Sequence, residues 1–141
     1  MNYRNLEIFH SNQNGKKLID VLDKTHSPMG ARLLNRWVAL PLKDKKEIVN
    51  RHIVVEELIK NNQMSSLFAE KFKRIGDLER LISKVSTFRI NPRECEKLKE
   101  SLIDLEPIKE ICDNSNIKIL NNLGSRMDSC KKISSKIEEY L

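Results

Sequence analysis

His52 and Glu56 stand four residues apart, one helical turn, and such a pair can offer an imidazole and a carboxylate to one metal ion. No third ligand follows at metal spacing, and His10 and His26 lie in other segments. The pair therefore reads as a boundary histidine beside an exposed glutamate. Gly15-Lys16-Lys17 carries the glycine and lysine of a phosphate loop, but His10 occupies the place of that motif's first glycine and Lys17 the place of its Ser or Thr. No ATP site is expected there. Cys95, Cys112 and Cys130 are odd in number and widely spaced, without a CxxC or Cys/His cluster. Neither a disulfide framework nor a zinc site follows, and reduced cytosolic thiols are the simplest account.

Nucleophilic and acid/base chemistry fare no better. There is no serine or cysteine in a GxSxG-type elbow. Glu79-Arg80 and Glu96 with Lys97 and Lys99 mix carboxylates with cations, as solvated helix faces do. Catalytic residues, none; cofactor-binding residues, none; metal ligands, none: that is the site assignment this chain supports, and an enzyme would need a converging constellation it does not offer.

The elements that would position any site are helices. Aromatics are 5% and charged residues 33% of 141 residues, Leu, Ile, Lys and Glu dominate, and four glycines leave few hairpin turns, which favours an all-α fold. The length suits one domain, 1–141. The net charge of +6 is spread along every segment, so a solvated, mildly basic surface explains it before a polyanion site does. With no charged-then-apolar leader and no apolar run of about 20 residues, neither secretion nor membrane spanning is expected. A cytoplasmic location follows as the expectation.

A polar run with a turn-forming Asn14-Gly15 predicts a loop over 10–16, then a short helix over about 17–23. Ser27 before Pro28 predicts a helix start, with Asp23 and Thr25 finishing the turn before it. Met29, Leu33, Leu34, Trp37 and Val38 then form one apolar face up to Pro41, with Trp37 in the core. Gly30 on that helix suggests another backbone packed closely against it. Asp44 with Glu47 caps a helix to about Lys60, whose buried stripe is Ile48, Val55, Leu58 and Ile59. Within it Arg51 is either a surface cation or a guanidinium bridging segments.

Leu67, Phe68 and Phe72 mark a short helix, which Gly76-Asp77 stops before capping the next, with Leu78, Leu81, Ile82, Val85 and Phe88 inward. Asn91-Pro92-Arg93-Glu94 starts another, with Cys95, Leu98 and Leu102 inward and Pro107 punctuating the following turn. From about 116 to 140, Leu120, Leu123, Met127, Cys130, Ile133, Ile137 and Tyr140 form a long seam. The architecture expected is an irregular multi-helix bundle with a long C-terminal helix.

Val21 to Trp37, closing at Pro41-Leu42, then Ile48, Arg51, Val55 and Leu58, then Gly76 to Val85, arrive in an order that resembles the core domain of the MutS family of DNA mismatch repair proteins. Arg4 to Phe9 is similar to the opening of that domain, and the likeness becomes diffuse after about Glu106. The resemblance implies a non-catalytic structural core that couples ATP-driven changes to mismatched-DNA binding in a parent ATPase. This segment itself would need no cofactor, since ATP and magnesium would be held by a separate domain of the parent.

Its partners would be the other domains of that parent and, through them, mismatched duplex DNA. The resemblance implies long helices toward the clamp that pair with a helix from later sequence, so the seam over 116–140 is expected to be covered either by folding back on this chain or by self-association, with a tendency toward a homodimer. A different class, a stand-alone basic helical DNA-binding or adaptor module, predicts salt-dependent affinity of this chain for duplex DNA. A binding titration separates the two.

Overall fold

The computed structural model describes Ile8 and residues 15–141, and those residues form eight helices and no strand. The all-α expectation is met. His10 and most of the Arg4 to Phe9 block and of the loop over 10–16 lie outside the described residues. The chain divides into two compact units between Pro41 and Leu42.

In the first unit, α1 (Leu18–Leu22) and α2 (Pro28–Ala39) follow each other closely. The Ile19 N–H donates to the Ile8 carbonyl at 3.2 Å, and both residues are buried. Asp23 accepts from the Thr25 N–H at 2.9 Å and the Thr25 hydroxyl at 2.7 Å, closing the turn that leads to α2. Those bonds hold its carboxyl below the usual aspartate range. Ser27 Oγ accepts from the Gly30 N–H at 3.1 Å and Pro28 opens the helix, as the Ser-Pro pair predicts.

The apolar face of α2 is less covered than its periodicity suggests. Trp37, expected in the core, is 40% exposed, and Leu33 is exposed too. A unit of about 40 residues has too little surface of its own to bury a whole stripe. Gly30 is also corrected. A Cβ there would meet the Ser27 and Thr25 side chains of its own cap, with no second backbone among its nearest neighbours.

The second unit is organised by α6 (Pro92–Asp113), 22 residues or about 33 Å long. Asn91 caps it by accepting from the Glu94 N–H at 3.0 Å, and Glu94 returns the favour to the Asn91 N–H at 3.2 Å. Four helices pack on α6: α4 (Asn62–Arg74), α5 (Leu78–Ser86), α7 (Lys118–Arg126) and α8 (Lys131–Tyr140). α3 (Lys45–Lys60) lies against α4 and α7. Leu81, Leu98 and Leu102 are the buried centre, with Leu78, Ile90, Leu105, Cys130 and Ile137 against them.

Several details depart from the pattern reading. Asp44 does cap α3, accepting from the Lys46 and Glu47 N–H groups, but Val55 and Ile59 are exposed while Ile48, Val54 and Leu58 are half-buried. α4 is a full helix, begun by Asn61, whose side chain accepts from the Met64 N–H at 3.0 Å. Phe88, expected on the inner face of α5, lies beyond its end and is exposed.

Pro107 does not break the chain but sits inside α6. An interior proline costs a helix about 3 kcal/mol, and the burial of Ile108 and Cys112 immediately beyond it offsets that loss. The long C-terminal helix expected over 116–140 is two helices. Asp128 accepts from the Cys130 N–H at 2.8 Å and Cys130 takes a left-handed conformation (φ 51°), which turns α8 back along α6. Among the described residues no helix is long and apolar enough to cross a membrane.

Candidate functional site: the polar links of α6

Within the second unit the residues singled out for chemistry form no cluster. Glu56 pairs with Lys60 at 2.5 Å on the exposed side of α3, one turn beyond His52, and the described residues contain no group of three ligands that could hold a metal. Lys17 stands at the start of the five-residue α1 and Gly15 is exposed, while the run from His10 to Asn14 lies outside the described residues. Cys95, Cys112 and Cys130 are unbridged thiols, and burial pushes the Cys112 thiol up. Arg51 is half-buried in α3.

Polar side chains come together along α6 instead, where each neighbouring helix is tied by a charged or hydrogen-bonded link. At the N-terminal end Lys84 of α5 bonds Glu94. That ammonium, and after it the Asn91 N–H, holds the Glu94 carboxyl below its ordinary value of 4.5. A carboxyl depressed in the folded state stabilises the fold above its unfolded value, and that contribution is lost as pH falls through the folded one. Stability should therefore decline below about pH 4.5, and Glu94→Gln should flatten part of that decline in urea melts taken at about pH 3 to 6. An unchanged pH profile in the variant would remove the link from the account of acid sensitivity.

One turn further Lys99, whose stem is buried, bonds Glu138 of α8 and, at 2.8 Å, Glu96 of its own helix. Glu138 first and Glu96 second raise its pKa above the usual lysine value. Ser101 is wholly inaccessible (0%). Its hydroxyl donates to the Lys97 carbonyl at 2.7 Å and accepts from the Gly76 N–H at 2.9 Å, fixing the turn between α4 and α5.

Asp104, 3% exposed, accepts from Lys71 Nζ at 2.9 Å and lies 3.1 Å from Arg74 Nε, both on α4. Two cations around one buried carboxylate satisfy its oxygens and fix the register of α4 on α6. Glu106 pairs with Lys131 at the start of α8 and raises that lysine's pKa. Lys109 reaches Asp113 at 2.7 Å and the Gly124 carbonyl of α7 at 2.9 Å. Asn121 Nδ2 donates to the Asp113 carbonyl at 2.5 Å.

Gly124 itself is buried, and a Cβ there would lie 2.7 Å from the Asp113 N and 2.9 Å from the Cys112 C. The close backbone approach expected at Gly30 is thus found at Gly124. In each ion pair the carboxylate is engaged by a cation, and the groove beside Lys84 and Glu94, about 320 Å³, is lined mostly by charged residues. Together they join α4, α5, α7 and α8 to α6 by polar contacts as well as by packing. Pattern reading passed over Ser101 and Asp104. The available signal was their place beside the Leu98, Leu102 and Ile108 stripe, where a solvated polar residue is not expected.

Comparison with known proteins places this helical framework in a family. Residues 3–141 match the family described as MutS domain III. The chain is 48% identical over 139 residues to the DNA mismatch repair protein MutS of Christiangramia forsetii and 46% identical to those of Bacteroides fragilis and Flavobacterium johnsoniae. Each alignment covers 98% of this chain, which spans 16% of the length of the curated relatives it matches. By the extent of that match as well as by its helical framework, the chain belongs to the MutS domain III family.

Proposed function

We propose that this chain is a non-catalytic structural domain of a longer mismatch repair ATPase, and that it couples ATP-driven changes in that protein to the binding of mismatched DNA. The observation that supports the reading is the set of polar links by which α6 ties α4, α5, α7 and α8 into one block. Coupling between distant sites needs an element whose parts move together. ATP and magnesium belong, in this reading, to another domain of the longer protein.

Asp104→Asn in the longer protein tests it, because the substitution keeps the size of the side chain while weakening the Lys71 and Arg74 links. ATP turnover without DNA should stay within about twofold, while its response to mismatched duplex should fall by about tenfold, the coupling being worth roughly 1 to 3 kcal/mol. An unaltered response would refute the transmission role. A salt-dependent affinity of the 141-residue chain itself for duplex DNA would favour the adaptor reading instead. A homodimer through residues 116–140 draws less support from the structure than from the periodicity, because α7 and α8 turn Leu120, Gly124 and Ile137 toward α6.

A further inference from the structure

Phe88 combines a helix stop that calls for glycine with a side chain left in solvent. Its side chain is 97% exposed, and its backbone is left-handed at φ 54°. The turn ends α5 with two reverse bonds, the Phe88 N–H to the Val85 carbonyl at 3.0 Å and the Arg89 N–H to the Lys84 carbonyl at 2.9 Å. Helices commonly end in this way, but with glycine at the left-handed position, because a Cβ there is strained. Phenylalanine in that place gains no burial to compensate. Strain held at an exposed side chain points to use.

The surroundings narrow the partner. The Lys84–Glu94 pair clamps the two ends of the turn, so the ring is held out on a rigid support and loses little freedom on docking. Arg89 and Arg93 follow it, one and five residues on, and are exposed. An aromatic with arginines beside it is the combination that dominates protein interfaces. Base stacking would favour a series of aromatics, and here no other aromatic lies between Phe72 and Tyr140.

We infer that Phe88, with Arg89 and Arg93, is a preformed knob that docks into an apolar pocket with an acidic rim on another part of the longer protein. The inference rests on the reading of this chain as one domain of such a protein. Its test needs no nucleotide, so it can fail separately from the coupling role.

Hydroxyl-radical oxidation of Phe88 should be about tenfold slower in the longer protein than in the 141-residue chain, as for a side chain moved from solvent into an interface core. Arg89→Glu with Arg93→Glu should restore the fast oxidation. Phe88→Gly should raise the folded-to-unfolded ratio of the 141-residue chain by roughly fivefold, through relief of the left-handed strain, and should lower the thermal midpoint of the longer protein. Equal oxidation in both proteins would overturn the inference, as would protection that survives the charge reversal. Protection that arises only on adding duplex oligonucleotide would assign the knob to nucleic acid and overturn it equally.

Discussion

Replacing Gly124 with alanine is expected to destabilise the chain by about 3 kcal/mol, at the upper end of what overpacking a well-packed site costs. The added Cβ would fall 2.4 Å from the Asp113 Oδ1, 2.7 Å from the Asp113 N and 2.9 Å from the Cys112 C. The carboxylate can rotate away, but the two backbone atoms cannot move without shifting the last turn of α6. That shift would also displace the Gly124 carbonyl from Lys109 and Asn121 from the Asp113 carbonyl. Gly30→Ala is the control. Its Cβ would press only on side chains of the α2 cap, and alanine's better helix propensity, about 1 kcal/mol, should leave that variant near neutral. Urea melts of the two variants give the comparison, and a Gly124→Ala protein as stable as Gly30→Ala would rule out the close approach of α7 to α6.

The second large effect is expected at Asp104. Truncation to alanine removes a nearly inaccessible carboxylate and strands the Lys71 ammonium against the apolar flank of α6, while the mostly exposed Arg74 recovers its hydration. Breaking a buried pair from one side costs several kcal/mol, and the solvent open to Arg74 reduces this to about 2 kcal/mol. Adding Lys71→Met to the alanine variant should recover part of the loss by removing the stranded charge. A double-mutant cycle with no interaction energy between the two sites would show that the pair does not hold α4 to α6.

Local geometry was the legible part of this fold. Ser27-Pro28, Asp77 and Asn91-Pro92 each announce a helix start because the cap is a bond across three residues, written within a single stretch of sequence. Seams were harder. The step pattern from Leu120 to Tyr140 continues through the break at Met127 to Cys130 because α7 and α8 both present their apolar side to the same helix, so periodicity does not distinguish one helix from two. Asp128-Ser129 was the available turn signal. Likewise, the stripe on α2 correctly marked a helix but overstated its burial, since alternation records which face is apolar and not how much structure exists to cover it.

The polar links were the least legible. Lys71 and Asp104 are 33 residues apart and Gly76 and Ser101 are 25 apart, so their partnership exists only once α4 and α5 have been laid on α6. The MutS family resemblance located the domain without them, because its blocks of capping and packing residues are contiguous.

Pro107 makes the central column of the second unit lean on a neighbour. A helix resists bending through its ladder of carbonyl to N–H rungs, and at this residue one rung is missing. Asp104 is clasped to α4 on one side of the gap and Lys109 to α7 on the other. α4 also spans the gap, since its Met64 and Leu67 line a groove with Ile111 beyond Pro107 while its Lys71 holds Asp104 before it. The joint is therefore splinted from outside: the stiffness that the missing rung takes from α6 is returned by the docked α4, and the helices remain one block.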